Sequence, residues 1–161
     1  MQLILKLTES CNYGCKFCRY ANHRRADDGM SIDLAEKSLI EITSYNARNN
    51  NLSNTIIFHG GEPLLYGIDR FNAIMEIEER LSKEYGATFI NNIQTNGALL
   101  NEEWCKFFKK HSFNVGISYD GPGDLNHHKS NRAYDFEASF INAVKLFNSV
   151  TFEASNKSSS R

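Results

Sequence analysis

Residues 55–63 read TIIFHGGEP, a β-branched and aromatic run that stops at two glycines and a proline. Thr55 to Phe58 has the composition and length of a buried strand. Pro63 fixes the turn that follows it. Beyond the turn, Phe71, Ile74, Ile77 and Leu81 recur at helical spacing, which predicts a helix over about Asp69–Tyr85. Gly86 stands where a helix-ending glycine belongs. Strand, turn and helix make one βα unit.

The unit repeats in both directions. Upstream, Leu3–Leu7 is a short apolar run, followed by CNYGCKFC at 11–18 and a polar stretch to Met30. Ser31 reads as the N-cap of a helix with Ala35, Leu39 and Ile42 on one face, and Asp33 and Glu36 favour its N-terminal end. Downstream, a strand over Thr88–Ile93 ends in QTNG at 94–97, and Asn101 caps a helix through Trp104, Phe107 and Phe108. A strand over Asn114–Ser118 runs into YDGPG, and Phe136, Phe140, Ala143, Val144 and Phe147 mark a last helix.

Four βα units in series imply α/β architecture with a parallel sheet and helical crossovers. In such sheets ligands bind outside the carboxyl ends of the strands. Every unusual motif here follows a strand, so four loops are expected to converge on one rim. Residues 1–150 form the core domain in this reading. Residues 151–161 continue Val150–Ala154 as the start of a fifth strand, or form a disordered polar tail. Four parallel strands leave sheet edges open, which suggests a truncated chain or a half-barrel that takes a partner subunit.

Composition narrows the classes. The chain has 161 residues, 41% hydrophobic and 23% charged, with a net charge of -1, so it suits one globular domain and offers no field for nucleic acid or an anionic membrane. No apolar run reaches bilayer length, and MQLILKL is too short and lacks the basic region of a signal peptide. Four cysteines without a secretory signal point to the cytoplasm, where clustered thiols bind metal more often than they form disulfides.

Cys11, Cys15 and Cys18 allow more than one chemistry. One loop wraps three corners of a [4Fe–4S] cluster with gaps of this size, leaving the fourth iron open. A structural zinc with His23 as fourth ligand has the same soft donors, and Cys15–Cys18 alone resembles a thioredoxin-like pair. Cys105 shares a helical stripe with Trp104 and Phe108 and reads as a small buried hydrophobe. Paired glycines at 60 and 61 let backbone approach a ligand, and Glu62 offers an acceptor for an ammonium group, or else a solvated turn carboxylate. His59 reads as a hydrogen-bonded packing residue. Gln94, Asn96, Ser118 and Asp120 bring amide, hydroxyl and carboxylate groups to the rim, and Arg132 could fork onto a carboxylate. Asn126–Lys129 with its paired histidines reads as a solvated loop.

Together CNYGCKFC, GGEP, QTNG and SYDGP, in this order over roughly residues 3–148, resemble the radical SAM superfamily. Within it they are most similar to the branch of anaerobic sulfatase-maturating enzymes and radical SAM peptide maturases of SPASM type. The resemblance implies a partial (β/α) barrel of which this chain supplies about four of six units. It implies a [4Fe–4S] cluster on Cys11, Cys15 and Cys18, with S-adenosylmethionine on its open iron. Reductive cleavage would give a 5′-deoxyadenosyl radical that abstracts hydrogen from a peptide or protein substrate, an oxidoreductase chemistry. A reductant such as flavodoxin or ferredoxin would feed it. By the same resemblance Gly60, Gly61 and Glu62 would receive the methionine ammonium, Phe17 would lie beside adenine, and Arg132 would meet the carboxylate. Gln94, Asn96 and Ser118 would line the pocket. The cysteine-rich C-terminal extension usual in that branch is absent from these residues.

Overall fold

The computed structural model describes residues 1–15, 18, 29–119, 138 and 140–148. Strand β1 (Gln2–Thr8) is followed by helix α1 (Ile32–Arg48), and β2 (Ser53–Gly60) by a 3-10 turn over Pro63–Tyr66 and α2 (Ile68–Tyr85). Strand β3 (Thr88–Thr95), α3 (Glu102–Lys110) and β4 (Asn114–Ile117) complete the order, and residues 140–148 are helical. The four strands form one open sheet in the order β1-β2-β3-β4, parallel at every pairing. That is the expected α/β architecture. Strands β2 and β3 run two residues further than the apolar runs alone suggest, because ladder hydrogen bonding carries His59–Gly60 and Gln94–Thr95 to the rim.

Alternation divides the sheet into two faces. Leu5, Leu7, Ile56, Phe58 and Ile93 point one way and are buried against the helices. Their neighbours Ile4, His59, Ile90 and Gln94 point the other way and are exposed. The period of two in a strand leaves no other arrangement once one face is covered. Phe58, Phe71, Trp104, Phe107, Phe108 and Phe113 form one aromatic layer between β2, α2 and α3, with Phe71 edge-on to Trp104 at a centroid distance of 5.3 Å. Cys105 lies in this layer, fully buried, as its stripe implies.

The helix ends follow their residues. Ser31 Oγ accepts from Leu34 N at 3.2 Å, Asn101 Oδ1 accepts from Trp104 N at 2.9 Å, and Gly86 takes φ +65° after α2. Glu36 on α1 pairs with Arg80 on α2. At the amino ends of the strands, Asn46 accepts from the chain terminus and donates to Asn54 Oδ1 at 2.8 Å. In the last helix Ala143 is buried, Phe147 stacks on Phe108 and Phe140 stacks on Tyr119. Val144 is exposed, so the inward stripe is 140, 143 and 147. Phe136, Val150–Ala154 and residues 151–161 lie outside the described residues.

One core contact is titratable. Glu78 on α2 is buried, and its Oε2 accepts from Asn91 Nδ2 of β3 at 2.7 Å. Glu78 Oε1 and Asn91 Oδ1 are both buried without a partner. A proton on Glu78 supplies the donor that these two acceptors lack, and burial pushes its pKa from 4.5 up to about 7. Because the folded value lies above the unfolded one, the stabilisation is complete below pH 4.5 and is lost as pH rises through about 7. Glu78→Gln keeps the shape and stays neutral. It should flatten the pH dependence of the urea midpoint and stabilise the protein at pH 8 by on the order of 1–2 kcal/mol. Parallel pH profiles for the two proteins would show that folding leaves the Glu78 pKa where it is in the unfolded chain.

Candidate functional site

The chain leaves the sheet after Thr8 and comes back at Met30, whose N–H donates to Leu7 O at 2.7 Å. Tyr66 Oη donates to Met30 O at 2.7 Å and holds that return in place. Tyr13 is buried beneath the segment, and its N–H donates to Cys11 Sγ at 3.3 Å. Cys18 N–H donates to Cys15 O at 3.0 Å. Cys11, Cys15 and Cys18 are half-exposed and free of disulfides. Burial pushes the Cys11 thiol up, and the nearby Glu62 and Cys18 charges add to this, while the Tyr13 N–H and Asn96 side chain oppose it.

Three cysteines without a disulfide on one rim segment, Cys11 and Cys18 near enough to interact through their charges, fit the soft donor set of an iron–sulfur cubane. Among the described residues no three His, Cys, Asp or Glu side chains gather tightly enough to chelate a single metal ion. His23, Phe17, Asp120, Arg132 and the histidine pair at 127 and 128 lie outside the described residues.

The glycines of the second loop are needed for a different contact from the one their pairing suggests. A Cβ at Gly61 would stand 2.2 Å from Ser10 O, and one at Gly60 would stand 2.4 Å from Thr8 O. Their bare faces therefore press against the backbone of the cysteine segment. Gly61 N–H donates to Thr8 O and Glu62 N–H to Ser10 O, each at 2.8 Å. Any side chain here would push the two loops apart.

Glu62 is 1% exposed, so it is not a solvated turn carboxylate. Its Oε1 accepts from Leu64 N at 3.0 Å and from Thr95 Oγ1 at 2.7 Å, and its Oε2 accepts from Asn96 N at 2.8 Å. Burial pushes its pKa up, against the three hydrogen bonds, which favour the ionised form. Asn96 then carries the connection onward, because its Nδ2 donates to Asn12 Oδ1 at 2.7 Å and lies 4.0 Å from Cys11 Sγ. Loops after β1, β2 and β3 are thus tied through one carboxylate.

Gln94 and Ser118 form a second group on the open face of the sheet. Gln94 Nε2 donates to Ser118 Oγ at 3.0 Å, and Ser118 N–H donates to Thr95 O at 2.9 Å. His59 is exposed on the same face, in register with Lys6. Thr95, Thr8 and Asn12 escaped the sequence reading. Thr95 lies inside the QTNG motif, and only the packing of the β2 loop against the end of β3 brings its hydroxyl to Glu62.

A radical SAM superfamily profile matches residues 5–156. The cysteine-type anaerobic sulfatase-maturating enzyme of Clostridium novyi (strain NT) is 36% identical over 128 residues, covering 77% of this chain and 33% of that protein. The serine-type enzyme of Bacteroides thetaiotaomicron is 35% identical over 123 residues, covering 72% and 28%. The chain thus spans about a third of the length of the curated relatives it matches. Among solved structures, native anSMEcpe with bound AdoMet and Kp18Cys peptide superposes with a TM-score of 0.77 at 27% identity, over 92% of this chain and 40% of that one.

The site yields a test. Glu62→Ala strands three donors, two of them backbone, in a buried place. It should lower stability by on the order of 3 kcal/mol, read as a fall in the urea midpoint. Glu62→Gln keeps the acceptor for two donors and sets an amide N–H against the third, so its loss should be smaller. Wild-type stability in Glu62→Ala would mean that the carboxylate ties nothing together.

Proposed function

The chain belongs to the radical SAM superfamily, and on that premise we propose that it holds a [4Fe–4S] cluster and S-adenosylmethionine and serves a radical enzyme acting on a peptide or protein side chain. The observation that carries this reading is the tie at Glu62, which sets the segment bearing Cys11, Cys15 and Cys18 on the same rim as the loops after β2 and β3.

Cys11, Cys15 and Cys18 would ligate three irons as thiolates. Held by these thiolates, a reduced cluster would supply one-electron chemistry for the reductive cleavage of S-adenosylmethionine. The residues of the chain position and shield. The backbone around Gly60 and Gly61 would receive the methionine ammonium, with Glu62 holding that loop in shape from behind. Gln94, Asn96 and Ser118 would bound the cofactor from β3 and β4, with Phe17 beside the adenine and Arg132 on the carboxylate. The buried Tyr13 keeps water from beneath the cysteine segment.

Relatives named for anaerobic sulfatase maturation, and a neighbour solved with a peptide bound, support a peptide or protein substrate. Hydrogen abstraction from such a side chain is an oxidoreductase step, with flavodoxin or ferredoxin as the class of reductant. Thiolate ligands of this kind persist in a reducing compartment, so the reading places the protein in the cytoplasm.

Anaerobic reconstitution tests the proposal directly. The protein should take up about four irons and as many sulfides per chain. Cys11→Ala, Cys15→Ala and Cys18→Ala should each abolish this, while Cys105→Ala should leave it intact. Reduced holoprotein should release 5′-deoxyadenosine from S-adenosylmethionine, followed by chromatography. Stoichiometric zinc without sulfide would overturn the reading.

A further inference from the structure

Strand β1 pairs with β2 alone, and its other edge is open among the described residues. Beside that edge Met1, Leu3, Leu34, Ser38, Ile42 and Tyr45 frame a groove of about 540 Å³ between β1 and the outer flank of α1. Leu34 is 52% exposed and Tyr45 42%, and Ile4, on the other face of the same strand, is 59% exposed. Ser38 Oγ donates back to Leu34 O at 2.8 Å, so the small residue on this flank brings no unmet donor. Lys37 and Glu41 stand one turn apart on the same flank, both exposed. Glu36 pairs with Arg80, Glu79 with Lys83 and Glu102 with Lys106. Lys37 and Glu41 take part in no ion pair among the described residues.

A second copy of the chain, related by a twofold axis perpendicular to the sheet, fits the strand edge and the helix flank at once. Neighbouring strands lie about 4.8 Å apart, and α1 packs over β1 and β2. Two β1 strands joined edge to edge therefore hold the two α1 helices about 10 Å apart, which is helix-packing distance. The heights agree as well. Asn46 sits beside Met1, with its Nδ2 donating to Met1 O at 3.3 Å. Three residues along β1 lead to Ile4 and seven residues back along α1 lead to Leu39, each a climb of roughly 10 Å. An axis at Ile4 thus crosses α1 near Leu39, midway between Lys37 and Glu41. Lys37 then meets Glu41 of the second copy, and Glu41 meets its Lys37. Leu34 lies against the other Tyr45, and the two Ile4 side chains stand side by side on the open face.

We propose that this flank is a self-association surface, on which two copies of the chain pair antiparallel through β1 and α1 into one continuous sheet with four strands from each. The occupant is a second copy because a cation and an anion one turn apart are their own complement under a twofold axis. A net charge of -1 raises little repulsion between copies. The pairing also covers the bare strand edge and the exposed Ile4, Leu34 and Tyr45 in a single step. Because the strands run opposite ways across the axis, the two rims with their cysteine segments point to opposite ends, and both stay open. The inference is independent of which substrate the rim takes.

The test is sedimentation velocity on the reconstituted protein under nitrogen, across a wide range of concentration. The mass should pass from that of one chain to that of two. Lys37→Glu sets carboxylate against carboxylate at both crossings and should weaken the dimer about tenfold, and Glu41→Lys should do the same with ammonium groups. Lys37→Glu combined with Glu41→Lys reverses both partners of each pair and should restore wild-type association. Ile4→Glu, which sets two like charges at the axis, should also weaken the dimer about tenfold. All three positions are exposed, so urea midpoint and iron content should stay near wild type and separate lost association from lost fold. A single-chain mass at every concentration overturns the inference and leaves the groove to a different partner. A dimer that ignores Lys37→Glu and Ile4→Glu forms through another face and overturns it equally. A double variant as weak as the single ones shows that Lys37 and Glu41 do not meet across an axis, which also overturns it.

Discussion

A carboxylate that has lost its water survives only where donors replace it, and Glu62 meets three of them, from the turn after β2 and from the end of β3. This constraint sets the distance between neighbouring strand-end loops. The cysteine segment joins it twice, once through the backbone contacts of Gly61 and Glu62 with Thr8 and Ser10, and once through Asn96 and Asn12. Sheet hydrogen bonds end at the rim and could not fix these loops themselves. The carboxylate extends the order of the sheet beyond its last rung.

The two faces of the sheet show how one backbone serves two solvents. Toward the helices, Leu5, Leu7, Ile56 and Phe58 meet α1 and α2 and the aromatic layer of α3, and this burial supplies the stability. Toward the open side the same strands carry Lys6, His59, Asn92, Gln94 and Asn114. On that side Asn114 Nδ2 of β4 donates across to Asn92 Oδ1 of β3, so amides join the neighbouring strands beyond their backbone ladder.

Much of this was legible in the residues. Phe71, Ile74, Ile77 and Leu81 marked the buried side of α2, Ser31 and Asn101 marked helix starts, and the repetition of strand, turn and helix fixed a parallel sheet. These signals are local, with periods of two or a few residues, and a sequence displays them openly. The partners of Glu62 were not legible. Thr95 and Asn96 lie more than thirty positions away, and only the register of β2 against β3 brings them near. The glycines show the same limit. A bare Cα announces that something comes close at Gly61, but Ser10 O becomes known only when the loops are packed. The exposure of Val144 also depends on which neighbours cover its helix.

The hydrogen bond from Met30 to Leu7 has a further meaning. It brings the chain back beside the place it left, so the segment between Thr8 and Met30 is an appendix to a closed framework and not one of its spans. The entropy of closing that excursion is met by the framework's own bonds, and lengthening it adds only slowly to the cost. Changes of length in this excursion therefore cost β1 and α1 little, while Thr8, Ser10 and Asn12 stay held by Gly61, Glu62 and Asn96. The two ends of the cysteine-bearing segment are thereby fixed by protein bonds alone, Met30 to Leu7 on one side and Gly61 to Thr8 on the other.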